Sequence, residues 1–197
     1  MLAPGVREAS EPAVSDTTVI AVEPADQPEV RALLSQSDAY YAALYPAESN
    51  HLVDVATLAQ PNVHFLVARH GVKVVGCGAL VVGADGEAAE VKRMFVIPEA
   101  RGLKLGSRIL DALEAAARGE GVRVIRLETG VRQPEALGLY RRHGYVERGP
   151  FGSYRPDPLS TFFEKEGVSD PPGLTLWRDR RRNLQARYCA HAIAAGQ

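Results

Sequence analysis

Apolar and polar positions change period several times along this chain, and each change marks an element. Thr18 to Val22 is a short β-branched run and reads as a first strand. Asp26 precedes Glu29 by three residues with Pro28 between them, a helix-start pattern. Val30, Leu33, Leu34, Tyr41 and Leu44 then follow at helical spacing, and Pro46 ends that helix. His51 to Gln60 reads as a second helix, stopped by Pro61.

The middle of the chain is β. Val63 to Arg69 and Val72 to Val82 read as strands around a His70-Gly71 turn, and Gly83 to Gly86 is a hairpin turn. Ala88 to Ile97 alternates strictly. It predicts Glu90, Lys92, Met94 and Val96 on one face and Val91, Arg93, Phe95 and Ile97 on the other. Pro98 breaks the strand. Leu105, Ile109, Ala112, Leu113 and Ala116 form a helical stripe, stopped near Gly119 and Gly121. Val122 to Thr129 is again a strand, so residues 88–129 read as a βαβ unit with a right-handed crossover. Pro134 to His143 reads as a short helix capped by Gly144, Tyr145-Val146 starts a strand, and Ser160 to Lys165 is the last one.

Composition narrows the class. The chain has 197 residues, 46% hydrophobic and 24% charged, with a net charge of -1. That is one ordinary globular domain with tails, not a disordered or collagen-like chain. Near-neutral charge argues against bulk binding to nucleic acid or a membrane surface. Two cysteines make no disulfide framework, and Cys77 in its apolar run reads as a buried free thiol. No apolar run is long enough for a membrane span, and the start has no signal-peptide pattern, so the expected location is cytoplasmic. Residues 1–16 read as a loose tail, 17–166 as the domain, and 167–197 as an extension carrying five Arg and two Asp. The histidines are scattered and the cysteines unpaired in spacing, so no metal is expected.

The chemistry concentrates between Val91 and Leu110. A strand ends, and Arg101-Gly102-Leu103-Lys104-Leu105-Gly106 leads straight into a helix. Free amides and dipole at a helix start favour a phosphate or pyrophosphate, although a plain connection also uses glycine for its turns. The spacing is neither G-x-G-x-x-G nor a Walker loop.

Lys92 to Gly106 resembles the signature of the GNAT (GCN5-related) N-acetyltransferase superfamily: a strand ending V-x-P, then R/Q-x-x-G-x-G/A, then a helix. Gln133, Ala136, Leu137, Tyr140 and Gly144-Tyr145 resemble the family's second block, N-x-x-A-x-x-x-Y-x-x-x-G-F/Y. Element order agrees from Thr18 to Lys165. The chain departs at Lys104, where glycine is usual, and at Gln133, where asparagine is usual. The resemblance implies an α/β (α+β mixed) fold: a central, mostly antiparallel sheet with a V-shaped splay, flanked by helices.

The resemblance also implies acetyl-CoA as co-substrate, attacked directly by an amine of a small molecule, amino acid or peptide. Phe95 and Val96 would hold the pantetheine arm, with a main-chain N–H facing the thioester oxygen. The amides of Arg101, Gly102, Leu103, Lys104, Leu105, Gly106 and Ser107 would bind the pyrophosphate, with Gln133 nearby. Tyr140 would protonate the leaving thiolate, since a phenol pKa of ~10 is close enough to a thiol's. Glu90 stands where the histone-acetylating branch carries its base; a Glu90-Lys92 ion pair is the rival reading, and Glu128 is a second base. Tyr41, Tyr45 and Glu48 at the helix junction, and Arg155 in the Phe151–Ser160 segment, are the expected substrate contacts. A non-catalytic acyl-CoA-binding module is the alternative on the same fold. A third reading, nucleic-acid contact through Arg178 to Arg187, is not the expected one. Homodimerisation through a sheet edge is left open.

Overall fold

The computed structural model describes residues 17–167. The expected tail, residues 1–16, and all but the first residue of the expected basic extension lie outside the described residues.

Seven strands form one sheet: β1 (Thr18–Val22), β2 (Val63–His70), β3 (Lys73–Val82), β4 (Ala88–Val96), β5 (Val124–Gly130), β6 (Val146–Arg148) and β7 (Ser160–Glu166). Their order is β1-β2-β3-β4-β5-β7-β6. Every adjacent pair is antiparallel except β4 with β5. That parallel pair needs a crossover, which helix α3 (Leu105–Glu120) supplies. The other helices are α1 (Pro28–Leu44), α2 (Val55–Leu58) and α4 (Pro134–Arg142).

The two long helices cover opposite faces of the sheet. Gly76 pairs with Val96 and Cys77 with Phe95, so these pairs point to opposite sides. A Cβ on Gly78 would sit 2.8 Å from Ile109 Cγ2 and 2.7 Å from Met94 Sδ, so the missing side chain lets α3 lie close on β3. On the other side, Tyr40 and Tyr41 of α1 stack against Phe95 at 5.9 and 6.4 Å. Leu105, Ile109, Leu110, Leu113 and Ala117 are the buried stripe of α3. Each large side chain so buried contributes about 1.5–3 kcal/mol. Gly121, at φ 77, terminates α3; Gly119 does not, because a lone glycine inside a well-packed helix is tolerated.

Three local expectations are corrected. The second helix shrinks to Val55–Leu58, because Asp54 caps it with its side chain (Thr57 N–H donates at 2.8 Å) and leaves residues 51–53 non-helical. Asp26 caps nothing with its carboxylate: Gln27 is the N-cap of α1, and the Asp26 carbonyl accepts from Arg31 instead.

Strict alternation in β4 fails at Arg93, which has φ 55. The register to β3 shifts there, Cys77 facing Phe95 while Ala79 faces Lys92. This is a β-bulge. It puts Glu90, Lys92 and Phe95 on the α1 face and Val91, Met94 and Val96 on the α3 face. The expected grouping of Glu90 and Lys92 with Met94 and Val96 is therefore wrong. Arg93 is 7% exposed and its guanidinium pairs with Asp38 of α1, while its carbonyl accepts from the Cys77 thiol at 3.2 Å. Burial pushes that thiol up to about 12, which makes it a poor nucleophile.

Candidate active site

Beyond the bulge, β4 and β5 part. Their pairing runs from Ala88–Val124 to Val91–Leu127 and stops, although β4 continues to Val96 and β5 to Gly130. A cavity of about 420 Å³ opens at this fork. The slit joins the two faces of the sheet. Glu128, opposite Phe162 and next to Leu127, lies on the α1 face with Glu90. Tyr140 of α4 lies on the α3 face, tilted on Phe163 at 5.9 Å. Glu128 and Tyr140 nevertheless line one cavity.

The expected cofactor residues are brought together at one end. Phe95, Val96, Arg101, Gly102, Lys104 and Leu105 line the cavity. So do Gly106, Ser107 and Gln133. Leu103 does not: it turns outward and is 51% exposed. Lys104 is the N-cap of α3 in the left-handed region, φ 54 and ψ 25, with no side-chain cap bond. A non-glycine residue there costs about 1–2 kcal/mol. The conformation expected of glycine is thus kept by lysine, an exposed residue on the cavity rim. The Ser107 hydroxyl is 3.0 Å from His143 Nε2. The Arg101 guanidinium lies 5.6 Å from the Tyr40 ring centroid.

Tyr140 is 4% exposed and packs edge-on to Tyr145 at 5.8 Å. Burial, and then the Glu128 charge, raise its phenol above its ordinary value. It therefore holds its proton throughout the neutral range, at some loss of acid strength.

The other end is polar and built from four remote segments. Glu90 Oε1 accepts from Tyr154 Oη at 2.7 Å and lies 3.0 Å from Lys92 Nζ. Lys92 also bonds Tyr154 Oη and reaches the His51 carbonyl at 3.4 Å. His51 stacks edge-on to Tyr154 at 5.1 Å. Glu128 accepts from Ser160 Oγ at 2.6 Å, and burial raises its carboxyl above the usual range. The Glu90-Lys92 ion pair exists, so the rival reading of Glu90 is realised. Neither Glu90 nor Tyr154 is on the cavity wall; both stand behind Lys92, which is.

The expected substrate contacts divide. Tyr41 lines the cavity but spends its hydroxyl on the Met94 carbonyl at 2.8 Å, fixing the strand just past the bulge. Tyr45 also lines the cavity, yet it is a structural pin. Its hydroxyl accepts from the Arg132 amide at 2.9 Å, and a Cβ on Gly130 would lie 2.0 Å from that oxygen. Glu48 and Arg155 are exposed and lie off the cavity wall, because the turns that carry them face outward. Tyr154 is what sequence reading missed in the Phe151–Ser160 segment. Two aromatics, Phe151 and Tyr154, among Gly and Pro do not say which one meets Glu90 and Lys92.

The residues that build this fork fall within the span matched by a known family. The sequence model of the Acetyltransferase (GNAT) family matches residues 30–145. This chain belongs to the GNAT family. It is 52% identical over 146 residues to an IAA acetyltransferase of Azospirillum brasilense, covering 74% of this chain and 95% of that one. A solved structure from Klebsiella pneumoniae subsp. pneumoniae MGH 78578, described as an acyl-CoA N-acyltransferase, is 37% identical. It superposes with a TM-score of 0.64 over 77% of this chain and 98% of that one. The PaiA N-acetyltransferase of Thermoplasma acidophilum, solved with coenzyme A, shares the fold at 18% identity, with a TM-score of 0.60 over 77% of this chain and 99% of that one. The chain is an N-acetyltransferase of mixed α/β fold. Among the described residues no helix is long and apolar enough to cross a membrane.

Proposed function

We propose that this GNAT enzyme transfers the acetyl group of acetyl-CoA to a primary amine entering from the α1 face of the sheet. The observation that carries the reading is the fork. β4 leaves β5 after Val91, and the start of α3 lines one end of the opening while Glu128 and Lys92 line the other.

The pantetheine arm lies along Phe95 and Val96, where β4 has no β5 neighbour to pair with. Pyrophosphate sits on the amides of Leu105, Gly106 and Ser107, whose donors have no intrahelical acceptor. The amine approaches Glu90 and Glu128, two carboxylates facing one lysine, an arrangement that draws a cation. Glu128, which lines the cavity, receives the amine's proton. The neutral amine attacks the thioester carbonyl, and a β4 main-chain N–H steadies the oxyanion. Tyr140 then protonates the leaving thiolate.

Calorimetric titration with acetyl-CoA and with CoA tests the cofactor half. Micromolar binding of both is expected; absence of binding in folded protein sinks the reading. A coupled assay over primary amines, amino acids and short peptides, with IAA included because of the relative named for it, tests the acceptor half.

A further inference from the structure

The sequence holds four lysines. Lys73 and Lys104 are exposed, and the Lys165 side chain is 26% exposed and paired with Glu114. Lys92 has the least exposed side chain of the four, at 14%, and it lines the cavity at the fork. Its ammonium meets a carboxylate (Glu90, 3.0 Å), a backbone carbonyl (His51, 3.4 Å) and a phenol oxygen (Tyr154). It also stands 4.9 Å from the centroid of the Tyr154 ring. Carboxylate, carbonyl, phenol and aromatic face together are what a primary ammonium requires. An amine of the chain itself thus already sits in such surroundings beside the fork.

We infer that Lys92 is an internal acetyl acceptor, a modification site that switches the enzyme's own amine subsite. The inference rests on the proposed placement of acetyl-CoA along β4. Lys92 shares the cavity wall with Phe95 and Val96 on the cofactor side and with Glu128 and Tyr140 across the slit. Glu90 takes one proton from the Lys92 ammonium. The free amine attacks the thioester carbonyl carbon, the N–C bond forms and the C–S bond breaks. The electron pair leaves on the CoA sulfur, which takes the Tyr140 proton, and Tyr140 is reprotonated by the second proton released from nitrogen. Ammonium and acetyl-CoA become amide, CoA thiol and one proton. Acetylation removes the cation between Glu90 and Glu128 and leaves an amide where a substrate ammonium would sit. An added acceptor amine competes for the same partners and slows the step.

The test incubates the full chain with acetyl-CoA and no added amine, followed by intact mass and peptide mapping. One acetyl group per chain is expected at Lys92, at least ~10-fold ahead of exposed Lys73, the reverse of the order set by exposure. The rate per chain does not change with protein concentration. Lys92→Arg abolishes the modification while acetyl-CoA still binds calorimetrically. Bound acetyl-CoA with Lys92 unmodified, or modified only in step with Lys73 and Lys104, overturns the inference and leaves the proposed function standing. Absence of acetyl-CoA binding overturns both.

Discussion

The two ends of the fork are built from different materials. The cofactor end is backbone. It consists of the end of β4 that has no β5 partner, one turn of loop and the first amides of α3, all within the stretch 95–107. The acceptor end is side chains. Glu90 and Lys92 come from β4, Glu128 from β5, Ser160 from the start of β7, His51 from the α1–α2 connection and Tyr154 from the β6–β7 connection. A backbone site tolerates exchange of its side chains as long as dihedral angles hold, and Lys104 in a left-handed conformation is an instance. A side-chain site tolerates almost none, because each group is both ligand and neighbour.

That contrast sets the order of expected effects. Removing the phenol that bridges the ends acts most strongly. Tyr140→Phe is expected to lower kcat by at least ~10²-fold, with calorimetric affinity for acetyl-CoA unchanged. An equal loss of affinity would make Tyr140 a packing residue. Gly130→Ala comes next, since its new methyl collides with Tyr45 Oη; overpacking of this kind costs about 1–3 kcal/mol in stability, read as a shifted urea midpoint at constant slope. At the cofactor end, Lys104→Gly relieves the left-handed cost. It is expected to add about 1 kcal/mol of stability without weakening acetyl-CoA binding. Weaker binding would show that the lysine side chain itself holds phosphate.

The smallest effect lies away from the fork. The Arg69 guanidinium holds the Glu23 carboxyl below its usual range, and Arg126 and then Arg148 do the same for Glu164, once burial is set against them. A carboxyl depressed on folding contributes stability above its unfolded pKa, ~4.3 for Glu, and that stability is lost as pH falls through the lower folded value. Thermal melts should therefore decline below about pH 4. Glu23→Gln should flatten part of that decline without moving acetyl-CoA affinity; an unaltered slope would show that this ion pair contributes nothing measurable.

Legibility in the sequence followed the same division. Most elements were readable to within a residue or two, because β1, β2, α3 and α4 are bounded by Pro and Gly and carry one clean period each. The cofactor end was readable as a resemblance, since Lys92 to Gly106 is a single stretch. Two things were not readable. Alternation of period two through Ala88–Ile97 looked unbroken, yet Arg93 takes a positive φ that no composition rule assigns to arginine. Its partner Asp38 is 55 residues away and anchors it there. Likewise, Tyr45 and Glu48 looked equally suited to substrate. Contact with Gly130 and Arg132, over 80 positions further on, made one a pin, and the outward turn left the other exposed.

By itself, then, the sequence determined what short-range physics controls: where strands and helices begin and stop, which helix face is apolar, and where a helix start meets a strand end. Only the tertiary structure decided which way β4 turns after Lys92, and so which carboxylates face the fork. That outcome depends on the register against β3 and on the ion pair of buried Arg93 with Asp38, and both are settled only when segments remote in sequence pack together.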